Sequence, residues 1–380
     1  MEKQSNMFQI YAMAWVSAMR TAAKAVASKP VLPALENILV SIKGGEMQVE
    51  AGDTETTICV QRELIQGGYE GRFLVPAKFA SGPLSELGST IVQFSVSEGS
   101  CLTASWAGGM VRIPIFDTAD WPENESPKAL YSATMNSDDL QKAIAMTDYA
   151  MAKDEARPVI NGLLFDFLGS DCGYNVVATD AHRLVKTAVE KGSSDMAFQV
   201  VVPRHTAQVM KSLLAAGEAV SVHADDKKVT FVLREDGALS VSGRLLEGKY
   251  PAWQSVLPAS WEHEAEIRVS DLLPAIGRAA ACIENNGHFR LSFSPGGFLM
   301  LSAQDLGYQT YGEMEIPCTH NFFESFDFGV RAAFLADVIT KMPGDVLRFG
   351  FGEPTKAMVV LDTNEDLAVR VKSLVTPVLL

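Results

Sequence analysis

Long apolar runs are missing from this 380-residue sequence; none approaches the roughly 20 residues that a membrane-spanning helix needs. The opening MEKQSNMFQIYAMAW also lacks the basic, apolar, small-residue plan of a secretory leader, so a cytoplasmic protein is expected. Cysteine is scarce. Cys59, Cys101, Cys172, Cys282 and Cys318 are scattered, odd in number and never spaced C-x-x-C. That argues against a disulfide framework and against a zinc site, and for buried thiols in a reducing compartment. No metal and no cofactor is expected. Basic residues are in the minority: 32 Lys and Arg against 46 Asp and Glu leave a formal net charge of −14. Nucleic-acid affinity depends on neutralising phosphates, so any contact with DNA requires a local basic zone.

What is present is a globular composition, 47% hydrophobic, in a chain too long for one core, so two or three domains are expected. Internal repetition organises it. Ala51-Gly52-Asp53, Ala178-Thr179-Asp180 and Ala303-Gln304-Asp305 each follow an apolar strand, and the three aspartates are almost evenly spaced along the chain. LVPAKFASGPL, VVPRHTAQVMKSLL and FGVRAAFLADVITKM each run from a strand end into a helix. Ala77, Arg204 and Arg331 occupy equivalent places in these three stretches, at the same interval that separates Asp53 from Asp180. VSAMRTAAKAV is matched by SDDLQKAIAMTD and VSDLLPAIGRAA, and Trp121-Pro122 by Tyr250-Pro251. Four landmarks in register describe three copies of one α+β module, each with two helices.

Within a module the local signals agree. Ser270 reads as an N-cap with Asp271 in the first turn, and Leu272, Leu273, Ile276 and Ala280 have helical spacing over 270–283. Residues 219–245 alternate, with turns at Ala224–Asp226 and Glu235–Gly237, and predict a three-strand meander. Polar or proline-bearing joins at Asn124–Ala129 and Pro258–Glu264 divide the chain into 1–128, 129–260 and 261–380. The inferred helices carry Arg20, Lys24, Lys29, Lys78, Lys142, Arg204, Lys211, Arg278, Arg331 and Lys341 against fewer acids. If the helices share one surface, an acidic protein presents a mildly basic face; otherwise these are ordinary solvated positions.

The stretch VVATDAHRLV, 176–185, brings Asp180, His182 and Arg183 together after an apolar run. A hydrolase or transferase could use such a pair, but no nucleophile motif or metal spacing accompanies it. Asp53 and Asp305 recur in the other modules without an adjacent histidine, which favours a turn aspartate bonding nearby backbone amides. The end of the chain, SLVTPVLL, would expose Leu374, Val375, Val378, Leu379 and Leu380 if free, so it is expected to dock in an apolar groove.

ATDAHRL at 178–184, RPVINGLLFDF at 157–167, GRLLEGKYPAWQSVLP at 243–258 and KPVLPALENILV at 29–40 resemble motifs of the bacterial DNA polymerase III beta subunit family, the sliding clamps. The resemblance runs over about residues 7–380, with Ala181 where the family's motif has glycine. It implies an α+β fold of three repeated clamp domains, with helices lining a ring lumen and antiparallel sheets outside. It further implies a head-to-tail homodimer around duplex DNA that tethers the replicative polymerase and has no catalytic residues. The clamp loader and other clamp-motif proteins are implied as further partners. By the same resemblance, partner peptides dock at Ile160, Thr179, Ala181, His182, Arg183, Leu184, Pro251, Val256, Val375, Thr376, Pro377 and Val378. Val111 and Ile113 are implied to meet Cys282 and Ile283 of the other subunit. A scaffold of the same fold that no longer loads on DNA is the remaining alternative.

Overall fold

The computed structural model describes residues 6–27, 29–97, 101–124, 126–234, 238–284, 287–364 and 368–380. It divides into two compact units: residues 1–138 with 205–245, and residues 139–204 with 246–380.

The first unit holds two antiparallel sheets. One has the order Met7–Tyr11, Ile91–Ser97, Cys101–Trp106, Gly109–Pro114. The other runs Tyr131–Asn136, Ala219–Ala224, Lys228–Val232, Leu239–Arg244, Thr56–Glu63, Glu46–Gly52, Asn37–Lys43, Gly71–Pro76. The meander over 219–245 is present, and its strands alternate buried and half-buried residues as the period of two requires. Asp225 makes its first turn, accepting the amides of Lys227 and Lys228 on Oδ1 at 2.8 Å each. The second turn expected there, Glu235–Gly237, lies outside the described residues. Helix Ala12–Ala22 is pinned by Trp15, fully buried, whose indole donates to the Ala80 carbonyl at 2.7 Å.

In the second unit the strand order is Ala197–Pro203, Gly162–Leu168, Tyr174–Thr179, Arg183–Val189, Val369–Val375, Met358–Asp362, Val346–Phe351, His263–Arg268, Thr310–His320, Phe298–Asp305, His288–Ser294, Phe326–Arg331. Gly162–Leu168 is buried on both faces up to Phe167, which explains its unbroken apolar run. Its one acid, Asp166, is matched by Asn175 Nδ2 at 3.1 Å and Gln199 Nε2 at 2.8 Å. Two registers in this chain join one repeat to the next. Leu239–Arg244 pairs with Thr56–Glu63, and Arg183–Val189 pairs with Val369–Val375.

Several local expectations are corrected. Helix Val269–Ala280 begins one residue before Ser270; Arg268 is the extended N-cap residue and no side chain caps the helix. Leu272, Ala275, Ile276 and Ala279 form its buried face, whereas Ala280 is exposed. The second helix of the first repeat is a single turn, Ala77–Ala80, because Gly82-Pro83 follows and breaks it into a 3₁₀ turn. Lys29 lies beyond the first helix, and Arg331 ends the strand Phe326–Arg331, acting as an extended N-cap for Ala332–Lys341. Among the described residues no helix is long and apolar enough to cross a membrane.

Candidate functional site: a docking groove beside Ala181

The three repeated aspartates make the same turn. Asp180 Oδ1 accepts from the amides of His182 at 3.0 Å and Arg183 at 2.9 Å. Asp53 does the same for Glu55 and Thr56, and Asp305 for Gly307 and Tyr308. A carboxylate two and three residues ahead of the amides it accepts closes an Asx turn. Asp180 is therefore consumed by its own turn. His182 instead lies exposed, its ring 6.0 Å from that of Phe334. The pair is not arranged as base and orienter.

Ala181 sits at the tip with φ of +73°, the left-handed region that glycine adopts freely and alanine does not. The surrounding bonds over-determine it: Thr179 Oγ1 donates to the Arg183 carbonyl at 2.7 Å and accepts the Ala181 amide at 3.1 Å. Arg183, only 9% exposed, holds the turn from beneath. Its Nε donates to Asp180 Oδ2 at 3.0 Å, one terminal nitrogen to Asp337 Oδ2 at 2.6 Å, and the other to the Tyr149 carbonyl at 3.0 Å. The guanidinium also lies over the rings of Tyr149 and Phe334, at 5.0 and 4.6 Å. Arg183 thus supports the rim rather than facing a ligand. Phe334 and Asp337 stand in the repeat landmark FGVRAAFLADVITKM and Tyr149 in no motif, and only the fold brings the three here.

From the turn the chain enters Arg183–Val189, whose register with the C-terminal strand sets Arg183 opposite Val375 and Leu184 opposite Leu374. That register unites the two stretches singled out in the sequence. The ladder also sets Lys186 opposite Lys372. The like charges separate, Lys186 over Trp253 and Lys372 over Trp261, each at 5.5 Å. Burial, and then the neighbouring Lys372, lowers the Lys186 pKa from its ordinary value.

Beneath the turn, Ile160, Leu184, Leu374, Leu164, Val177 and Tyr250 belong to one apolar cluster, joined by Ala152, Val201 and Trp253. Ile160 and Leu184 are expected there by resemblance and Leu374 as part of a docked tail; Val177 and Trp253 were missed. Trp253 stands in the quoted YPAWQSVLP and is the large apolar residue that could have been picked out. Val256 is 54% exposed and ends the one-turn helix Trp253–Val256, whose buried side is taken by Trp253. Pro251 is exposed, and Thr376, Pro377 and Val378 are half-buried along the edge. The tail docks only in part. Val378 donates its amide to the Gly329 carbonyl at 2.8 Å, and a Cβ at Gly329 would lie 2.2 Å from the Val378 carbonyl oxygen. Leu379 remains 85% exposed and Leu380 51%.

The basic positions differ in what they can offer. Arg20, Lys29, Lys78, Lys142 and Arg278 are exposed, and Lys211 and Lys341 are half-buried. Lys24 is exposed but donates to Ser212, to its carbonyl at 3.1 Å and its hydroxyl at 3.3 Å. Arg204 is engaged internally, donating to the Met151 and Ala152 carbonyls at 2.6 and 3.1 Å. Arg331 lies over Phe334 at 4.7 Å. Of the four residues implied at a subunit contact, Ile113 is only 1% exposed, its side chain packed inside its own unit. Val111, Cys282 and Ile283 are half-buried, and Gly109–Pro114 is an edge strand of its sheet.

Comparison with known proteins agrees with this architecture. Models of the N-terminal, central and C-terminal domains of the DNA polymerase III beta subunit match residues 7–124, 134–252 and 254–377. The beta sliding clamp of Caulobacter vibrioides is 24% identical over 347 residues, 89% of this chain and 91% of that protein. A crystal structure of the DNA polymerase sliding clamp from Pseudomonas aeruginosa with ligand shares the fold, with TM-score 0.91 and 22% identity over 98% of this chain and 100% of that one. A DnaN sliding clamp from the same organism bound to griselimycin has TM-score 0.90 and 22% identity over 98% and 99%. With three repeated α+β domains matched in order, the chain belongs to the DNA polymerase III beta subunit family, the sliding clamps, processivity factors without catalytic activity.

Proposed function

We propose that two copies of this chain close into a ring around duplex DNA, and that the groove beside Ala181 tethers partners by a short peptide. The partners in this reading are the catalytic subunit of the replicative polymerase, the clamp loader and other clamp-motif proteins. The observation that carries it is the register of Arg183–Val189 with Val369–Val375, which places the Ala181 turn and the chain end over one apolar cluster. A ligand side chain inserted there gains apolar burial, while exposed His182 and the turn backbone supply direction. One buried Leu or Phe contributes about 1.5–3 kcal/mol, so a short peptide binds weakly, on the order of micromolar.

The exposed Arg20, Lys29, Lys78, Lys142 and Arg278 are the residues proposed to face DNA. Retention by enclosure needs only weak phosphate neutralisation, which fits a chain of net charge −14. The edge strand Gly109–Pro114 of one copy is proposed to meet the Cys282–Ile283 segment of the other, and the domain joins are proposed at about 128 and 260. Two measurements test the reading. Solution mass of twice 41.1 kDa supports the ring. Saturable binding of a Gln-Leu-x-Leu-Phe peptide, lost with the groove, supports the docking site.

A further inference from the structure

The repeat that produced the groove produced a second version of it in the other unit. Leu35, Leu39, Leu74 and Trp121 form a buried cluster. Their counterparts beneath the groove are Ile160, Leu164, Val201 and Tyr250, each displaced along the chain by close to one repeat. The same interval separates Asp53 from Asp180, and both aspartates close the same Asx turn beside their cluster. A proline follows the aromatic residue in each copy, Pro122 and Pro251.

The difference lies in the joining strands. Where the groove has Leu184 opposite Leu374, the first copy has Thr57 opposite Ser242. Two shorter polar side chains take the place of two leucines, and a cavity of about 360 Å³ opens there, bordered by Leu32, Leu35, Glu50, Thr57, Trp121 and Ser242. That volume falls in the range of about 300–1,000 Å³ typical of ligand sites. Trp121 is 6% exposed, and its indole N–H lies near the Glu50 carboxylate without reaching hydrogen-bond geometry. Burial raises the Glu50 carboxyl above its ordinary value, against the opposing pull of Trp121 and Lys228. One wall is therefore apolar and the other carries polar groups with bonding capacity to spare.

We propose that this cavity is a second peptide-docking site, taking a tyrosine side chain from a short extended segment of a partner protein. The class of ligand rests on reading the Ala181 groove as a peptide site, since the repeat relates the two. Leu32, Leu35, Trp121 and Pro122 cover the ring, while Thr57 and Glu50 meet its hydroxyl. An anchor lacking that hydroxyl leaves the polar wall unpaired, and so binds less well.

Trp121 and Trp253 report the two sites in one experiment: fluorine NMR of the full chain labelled with 5-fluorotryptophan, each resonance assigned from its Trp→Phe variant. The probes are an acetylated, amidated Gln-Leu-Ser-Leu-Tyr peptide and its phenylalanine analogue. Both resonances are expected to shift saturably, with the Trp121 response about tenfold tighter for tyrosine, one hydrogen bond's worth. Ser242→Leu, which installs the residue type found at 374, is expected to remove the Trp121 response and spare that of Trp253. If that variant does not fold, Thr57→Val serves, and the tyrosine preference at Trp121 is reduced, with Glu50 left as the hydroxyl's one partner of the two. A Trp121 resonance unmoved at millimolar peptide while Trp253 shifts overturns the second site and leaves the groove standing. Movement of neither overturns both, and movement of Trp121 alone upholds this site against the groove. A Trp121 response that survives Ser242→Leu, or a tyrosine preference undiminished by Thr57→Val, also overturns the proposal.

Discussion

Thr376 donates both its amide and its hydroxyl to the His182 carbonyl, each at 2.9 Å. This clasp extends the strand pairing one residue past Val375 and fixes the start of the tail against the Ala181 turn. The rim of the turn and the last buried stretch of the chain are thereby held as one edge, although they come from different repeats.

Deleting Thr376–Leu380 removes that edge without touching the pairing of Val369–Val375, which stays buried in the sheet. Affinity for a Gln-Leu-x-Leu-Phe peptide is expected to fall at least tenfold in a fluorescence-polarisation titration, while solution mass stays that of the parent. Unchanged affinity would place the docking groove elsewhere.

Ala181 is strained where its family's motif has glycine. A left-handed non-glycine residue costs roughly 1–2 kcal/mol, and glycine's extra freedom in the unfolded chain returns about 0.4–1 of it. Ala181→Gly is therefore expected to raise unfolding stability by about 0.5–1 kcal/mol, read from denaturant midpoints at constant slope. A loss of stability would show that the turn relaxes in solution.

Asp180 gives the complementary case. Its carboxylate accepts two backbone amides and the Arg183 Nε, with its side chain 18% exposed. Asp180→Ala leaves these donors unmatched, and a loss of about 2–3 kcal/mol is expected in chemical denaturation. Asp180→Asn keeps one acceptor oxygen for the two amides and should lose about half as much. Equal losses would assign the effect to the Arg183 ion pair alone.

The repeats, the turn aspartates and the meander were legible because each depends on local spacing: a period of two, or a carboxylate two and three residues from its amides. The groove's outline was legible by resemblance. The remainder depended on contacts distant in sequence. Nothing near Arg183 announces that Asp337 and Phe334 receive its guanidinium from a helix of the last repeat. Likewise Arg204 and Arg331 read as lumen charges by their repeat position, yet one is spent on two carbonyls and the other lies over a ring. Ile113 alternates correctly for a strand, but alternation alone does not say which face meets its own core.

His205 and Asp53 form an ion pair at 3.0 Å that titrates. The hydrogen bond that His205 donates to Asp53 raises the His205 pKa above its ordinary value despite burial. Its stabilising contribution is present below about pH 6.5 and is lost as pH rises through the higher folded value. Burial works against the Asp53 carboxylate, but bonds from His205, Thr56 and Glu55 outweigh it and lower its pKa. That contribution holds above about pH 4 and is lost as pH falls through the lowered folded value. Between pH 6 and 8 the parent is expected to lose thermal midpoint relative to His205→Gln. Parallel curves would mean the pair is fully screened.

The basic positions divide into two groups that salt separates. Arg20, Lys78 and Arg278 are exposed and able to meet phosphates, whereas Arg204 donates to the Met151 and Ala152 carbonyls. Each phosphate neutralised contributes about 0.9 to the slope of log affinity against log salt on duplex DNA. Replacing Arg20, Lys78 and Arg278 together by alanine is expected to reduce that slope by up to about 2.7, with stability held within about 0.5 kcal/mol per site. Arg204→Ala is expected to act oppositely: stability falls by about 1–3 kcal/mol because two carbonyls lose a charged donor, and the salt slope stays within one phosphate of the parent. DNA binding by linear-duplex titration at several salt concentrations, alongside denaturant unfolding, reads both quantities. A triple variant with the parent's slope would make those three cations ordinary solvated surface and leave Lys29 and Lys142, then the half-buried Lys211 and Lys341, to face DNA.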